Sequence, residues 1–190
     1  MISANAQVRF GLKSGLNISN FHGDDAGNLD SKPGFSGGFF LSIKTQKPLI
    51  IQPEFTYSVK GAKTHLGSAN VTLDYHYIDI LVLFKYVIPL HDNQDINPII
   101  FAGPFIGFNT RAQTIVNING KTESQNNASV VNREYGLQFG GALGFNLGNN
   151  ELGFDMRYVL GLTSVDKSVN NFDVKNSVFN LNIYFIFDNK

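Results

Sequence analysis

The chain has 190 residues, no net charge and only 16% charged residues, against roughly 25% in an ordinary soluble protein. Neutrality excludes the basic footprint of a nucleic-acid binder, and the absence of cysteine excludes disulfides and thiolate metal sites. No apolar run reaches the length of about 18 residues that a membrane-crossing helix needs.

The N-terminus reads "MISANAQVRF". Ala4-Asn5-Ala6 has the small-x-small form of a signal-peptidase site, with Gln7 as mature start. Residues 1–6 are therefore expected to be a signal-peptide remnant and 7–187 a single domain.

From Gln7 onward the pattern has a period of two, the signature of strands with unlike faces. In "QVRFGLKSGLNIS" Val8, Phe10, Leu12, Leu16 and Ile18 alternate with Arg9, Gly11, Lys13, Gly15 and Asn17. "GFSGGFFLSIK" sets Phe35, Phe39, Leu41 and Ile43 on one face, and "LIIQPEFTYSVKGAK" alternates from Ile51 to Lys60. Val71 to Ile88 has Ile78, Ile80, Val82, Phe84, Tyr86 and Ile88 in phase, but Val71 to Tyr77 runs in the opposite phase. A bulge, or an extension beyond the constrained zone, accounts for that switch. "NPIIFAGPFIGFNTRA" is apolar on both faces. "REYGLQFGGALGFNLG", "ELGFDMRYVLGLT" and "NSVFNLNIYFIF" alternate again. The count is eight strands, and no segment has a helical period.

The connections alternate in length. "FHGDDAGNLDSKP", "GAKTHLGSAN", "TIVNINGKTESQNNASVVN" and "SVDKSVNNFDVK" are long; "TQKP", "PLHDNQDIN" and "LGNNE" are shorter. All long connections fall at one end of an up-and-down meander, the asymmetry of transmembrane barrels with short periplasmic turns and long outer loops. An even strand count puts both termini at the short-turn end.

Eight alternating strands close into a small barrel, which is either soluble and apolar inside or membrane-bound and apolar outside. The second face decides. It is rich in glycine, which weakens a water-facing strand but makes room inside a narrow barrel. It also carries the charges: Arg9, Lys13, Lys44, Glu54, Lys60, Asp79, Lys85, Arg111, Glu134, Asp155 and Arg157. Lys or Arg facing hydrocarbon at mid-depth costs about 2–4 kcal/mol, whereas mixed charges in a lumen can pair. The reading is an all-β, eight-stranded antiparallel transmembrane barrel with an internal polar network and a modest excess of basic groups. Arg157 is expected to cross the lumen and bond Glu54, Asp79, Glu134 or Asp155. Phe40, Phe101, Phe105 and Tyr184 fill the remaining interior, so the barrel is not an open pore. Phe10, Tyr86, Phe145, Phe154 and Phe187 mark one aromatic girdle and Phe35, Tyr57, Phe108, Tyr135 and Phe179 the other.

Four stretches, spanning nearly the whole chain, carry a family resemblance. "YIDILVLFKY" (77–86) resembles the "Y-[IL]-E-I-P-x-L-x-K-Y" strand of the PorT-type outer-membrane β-barrel family, with Asp79 for glutamate and Leu81 where proline is common. "FAGPFIGF" (101–108) resembles its "AGP-x-x-G" strand, "FDMRYVLGLTSV" (154–165) its "RY-x-x-GL-x-[ND]" strand, and "FGLKSGLNISNF" its first strand. The resemblance implies an integral outer-membrane protein of Gram-negative bacteria, in a family whose members rarely have an established activity.

No cofactor is expected. His22, His65, His76 and His91 lack ligand spacing, and Asp24, Asp25 and Asp30 lack the regular spacing of a calcium loop. Outer-membrane lipid is the expected surrounding, the long loops are expected to meet any protein partner or surface ligand, and the barrel is expected to be monomeric. Two other readings are a soluble lipocalin-like carrier and a lipid-modifying enzyme. For the enzyme, His65 and His76 with Ser58 or Ser68 are the only candidates.

Overall fold

The structure is a computed structural model and describes every residue except 1–6, 46–47, 68, 91–94, 167–172 and 189–190. The signal-peptide assignment, His91 and Ser68 lie outside the described residues.

The chain forms strands β1 (Gln7–His22), β2 (Asp30–Lys44), β3 (Leu49–Leu66), β4 (Ala69–Val87), β5 (Ile96–Ile118), β6 (Lys121–Asn126), β7 (Arg133–Leu147), β8 (Asn150–Gly161) and β9 (Lys175–Ile186). Eight of them make the wall: each pairs antiparallel with its neighbours, and β1 pairs with β9 from Gly11↔Ile186 to His22↔Lys175, closing the ring. The ninth, β6, pairs with β5 alone. Closure leaves the wall without open edges, and alternation puts unlike residues on its two sides.

The outside is greasy. Leu16 is 67% exposed while Lys60 is 1% exposed, the reverse of what water on the outer wall would select. Phe84, Ile100, Phe154 and Met156 are similarly exposed. This inversion overturns the soluble lipocalin-like alternative.

Two stretches depart from the expected loops. Within "GAKTHLGSAN", residues 61–66 and 69–70 are strand: β3 and β4 pair residue for residue from Gly61↔Asp74 to Leu66↔Ala69. The segment 112–132 is largely strand as well. β5 pairs with β4 out to Ala69↔Ile118 and then turns back as β6. The turn residues Asn119 and Gly120 have φ of 51° and 82°, as a two-residue hairpin turn requires. Strands β3, β4, β5 and β6 thus continue beyond the wall as a four-stranded extension. Its β-branched stretch, Thr114-Ile115-Val116, suits extended backbone.

The apparent phase switch in β4 also has a different cause. Tyr75, Tyr77, Asp79, Leu81, Leu83 and Lys85 all point inside, so the strand never flips. The interior changes instead, from charged to apolar, towards the outer end. The irregularity lies in β5: His76 pairs with Arg111 and Tyr77 with Asn109, leaving Thr110 over.

Candidate functional site

The interior is built in layers. At the short-turn end Arg9 meets Glu151 at 3.1 Å, and Tyr184 Oη donates to the same carboxylate at 3.1 Å. In the middle Glu54 is the hub. It is bonded by Lys13, by Arg157 Nη1 at 3.0 Å and by Gln52 Nε2 at 2.6 Å. The other side of the Arg157 guanidinium forks onto Asp155, with bonds of 2.8 and 2.6 Å, and Nη1 also donates to Gln138 at 3.2 Å. Asn182, Asn180, Asn17, Ser36 and Ser58 continue the network along the β1–β9 and β2–β3 wall. Above them Lys60 lies 3.1 Å from Asp79 and 2.9 Å from Glu134. Charges so paired escape most of the cost of leaving water.

Aromatic rings fill the gaps. Lys85 Nζ lies 5.4–5.9 Å from the ring centres of Tyr184, Phe101 and Phe40, and Lys60 Nζ lies 4.6 and 4.8 Å from Tyr77 and Phe105. These are cation–π distances. Gly11 and Gly153 create the room: a Cβ at Gly11 would overlap the Phe40 ring, and one at Gly153 the Tyr184 ring.

At the long-loop end the lining turns apolar. Phe21, Ala62, Tyr75 and Tyr77 from the wall cluster with Val130, Val165 and Val174 from the connections. Backbone bonds tie the cover together: Val131 N to Val165 O at 2.8 Å, Val165 N to Val174 O at 2.7 Å, and Asp25 N to Asp173 O at 3.2 Å.

A second polar chain crosses the long-loop end of β2, β3 and β4, from the buried Lys32 to the exposed Tyr57. Lys32 Nζ is 2.7 Å from Asp74, Asp74 is 2.8 Å from His76 Nε2, and His76 Nδ1 meets the exposed Tyr57 hydroxyl. Burial of Asp74 works against its ionisation. The Lys32 and His76 hydrogen bonds outweigh it and hold the carboxyl below the usual carboxylate range.

Among the residues singled out from sequence, Arg9, Lys13, Glu54, Asp79, Lys85, Glu134, Asp155 and Arg157 are all buried inside, as is Lys60. Arg111 is a correction. It is exposed and bonds Gln113 at 2.7 Å, because it lies past the Thr110 irregularity and on the extension. Lys44 is half-buried, at the short-turn rim. Glu151 is an interior residue that the sequence reading misses, although it keeps the spacing of two with Gly153, Asp155 and Arg157. With these changes six buried basic side chains (Arg9, Lys13, Lys32, Lys60, Lys85, Arg157) stand against five buried acidic ones (Glu54, Asp79, Glu134, Glu151, Asp155) among the described residues, and Lys32 pairs with the half-buried Asp74, so the expected basic excess shrinks to one. Charge is nevertheless uneven along the axis: the middle layer pairs two cations with two anions, the upper layer one cation with two anions.

The candidate enzyme pair does not assemble. Ser58 is buried inside and its hydroxyl accepts from Asn17, while His76 bonds Asp74 and Tyr57. His65 bonds Asn70 and faces Asp30 at 3.5 Å. This draws Asp30 away from Asp24 and Asp25, which bond the carboxylate and backbone of Asp173.

The same architecture occurs in solved outer-membrane barrels. Ail, the attachment invasion locus protein of Yersinia pestis, is 18% identical, with 94% of this chain and 98% of that one covered and a TM-score of 0.50. Neisserial surface protein A is 14% identical, with 94% and 97% covered and a TM-score of 0.50. A major outer membrane protein from Thermus thermophilus is 13% identical, with 95% and 100% covered and a TM-score of 0.52. At such identities the likeness concerns the fold alone. No curated protein matches the chain. The family described as "Outer membrane protein beta-barrel domain" matches residues 3–167, a level broader than the PorT-type motifs. With its greasy wall and buried charges, the chain belongs to this family and is an integral β-barrel protein of the outer membrane.

Proposed function

We propose that the barrel is a sealed membrane anchor that presents an interaction platform, the mouth cover and the β3–β6 extension, to the cell exterior. The observation that carries this reading is the extension. From Phe108 to Ile118, β5 runs about 33 Å along its length beyond the outer girdle at roughly 3.3 Å per residue, paired throughout except at Thr110. An anchor alone needs no such sheet. One face of it carries Val71, Val116, Leu66 and Ile118, the last two exposed, and continues on β6 with Lys121 and Glu123. The opposite face carries Asn70, Thr72, Asn117, Thr122 and Ser124 around Ile115. Both termini are then periplasmic, and the ion-paired lumen serves as a rigid filling and not as a path for solutes.

Ail is known in complex with the heparin analogue sucrose octasulfate. The outer end of this chain is less suited to a polyanion. Lys63, Arg111, Lys121, Arg133 and Lys175 are interspersed with Asp24, Asp25, Asp30, Glu123, Asp166 and Asp173, so no single-sign field forms. A protein surface is the better match.

Membrane fractionation followed by proteolysis of intact cells tests the reading. The protein should fractionate with the outer membrane and be cut at the Asn119–Gly120 turn or within 127–132. Cleavage at the Gly148–Asn149 turn in intact cells would invert the topology.

A further inference from the structure

Strand β6 is exposed along its whole length, and β5 is its only hydrogen-bonded neighbour among the described strands. Such an edge offers a row of backbone donors and acceptors. Which residues offer them follows from the turn. Ile118 and Lys121 flank a two-residue turn, so they form a hydrogen-bonded pair, and such pairs alternate along an antiparallel ladder. Lys121, Glu123 and Gln125 therefore direct their backbone groups to β5. Thr122, Ser124 and Asn126 direct theirs to the open edge.

We infer that the β6 edge pairs antiparallel with the β6 edge of a second copy of this chain, carried by a facing membrane. The inference rests on the proposed outward presentation of the extension and names its partner. Charge selects the register. Centred on Thr122, the pairing sets Lys121 of each copy opposite Glu123 of the other, in the close non-hydrogen-bonded positions where side chains interact most. Centred on Glu123 it opposes two carboxylates, centred on Lys121 two ammonium groups, and centred on Ser124 it leaves Glu123 against Gln125. Edge strands are commonly blunted by charged side chains, Lys above all; β6 carries one Lys and one Glu, in an order complementary to itself.

Orientation follows from symmetry. The two-fold axis of an edge-to-edge antiparallel pair stands perpendicular to the sheet. The extension continues the barrel wall, so its normal lies across the barrel axis. Rotation about that normal turns the second barrel upside down, and its membrane must face the first. One contact of this size is weak, but many copies on two apposed surfaces act together.

The test uses lipid vesicles carrying the full chain at high density, with clustering read by light scattering and β6 accessibility read by protease in the same vesicles. Wild-type vesicles should cluster with each other and not with protein-free vesicles. K121E and E123K each place like charges opposite one another and should each reduce clustering several-fold. Mixing K121E vesicles with E123K vesicles restores opposite charges at both positions and should restore clustering. Because both side chains are exposed, the barrel of each variant should resist unfolding like the wild type, which the same samples can report. Dispersed wild-type vesicles, a mixture no more clustered than its components, or capture of protein-free vesicles would each overturn the inference. If β6 is accessible in that case, outward presentation stands without the self-pairing; if β6 is protected, the presentation itself fails.

Discussion

Glu54 is the side chain on which the middle of the lumen depends. It compensates Lys13 and Arg157 together, and it is only 3% exposed. Removing one partner of a buried ion pair leaves an uncompensated charge, which costs about 3–5 kcal/mol. Glu54→Gln should therefore destabilise the barrel by about that amount in denaturant unfolding from detergent or bilayers, and Glu54→Gln combined with Lys13→Met by less. Equal loss in the two variants would show that the Lys13 ammonium finds another partner. Asp74, outside the membrane zone, gives a pH dependence of known sign. Its carboxyl is held below the usual range, so the folded state binds its proton less readily than the unfolded chain. The stabilisation is complete above the ordinary carboxylate pKa of about 3.9 and is lost as pH falls through the lower folded value. Acidification below about pH 4 should loosen the base of the extension, read as faster proteolysis of β4 near Asp74 by an acid-active protease, and Asp74→Asn should flatten that dependence.

Each wall strand has two faces with different tolerances, and β7 shows both. Phe139 is exposed to lipid; Phe139→Arg should cost about 2–4 kcal/mol if it sits near mid-depth. Its neighbour Gly140 pairs with Arg157, but the arginine side chain is not what demands glycine there. A Cβ at Gly140 would overlap Met156 O and lie 2.8 Å from Arg157 Cα, so the backbones themselves approach too closely for a side chain. Gly140→Ala should thus destabilise through strand displacement, by about 1–3 kcal/mol as overpacking typically does. The wall strands were legible because a barrel in lipid imposes strict alternation. The extension was less legible. Once a sheet leaves the membrane its outer face no longer needs apolar residues, so the stretches 61–74 and 111–126 lose the pattern that marks the wall. The Asn119-Gly120 pair after a β-branched run was the available signal, since it specifies a tight hairpin rather than a long loop. Arg111 was misplaced for a related reason: the single extra residue at Thr110 shifts everything beyond it by one, and a shift of one exchanges the faces. Glu151 escaped because it follows a turn directly, where alternation has only begun.

At the scale of the whole molecule, the question is whether anything passes through. A ring of eight strands encloses a space that side chains can just fill, and here they do. From the short-turn end upward the axis is crossed by the Arg9–Glu151 pair, by Lys85 among three rings, by the Glu54–Arg157–Asp155 cluster, by the Lys60–Asp79–Glu134 cluster, and finally by the apolar cover of Phe21, Tyr75, Tyr77 and the three valines. An ion entering from either side would have to break at least one buried pair, and each break exposes a charge with no solvent to receive it. The barrier is therefore set by pairing and not by width alone. In planar bilayers the wild-type protein should give no stable conductance steps in salt solution. Truncating the arginine at the middle of the axis, as Arg157→Ala together with Asp155→Ala and Glu54→Ala, removes the charges as a group and opens space without stranding any one of the three. Lys13 would then lose its Glu54 partner, so Lys13→Ala belongs in the same variant. The mouth cover and the upper cluster still stand above that space, and conductance should remain absent until the cover is also opened, for example by Tyr77→Ala with Val165→Ser. Steps from the wild type would refute the filled lumen, and steps from the middle-layer variant alone would place the whole barrier at Arg157 and leave the mouth cover without a sealing role.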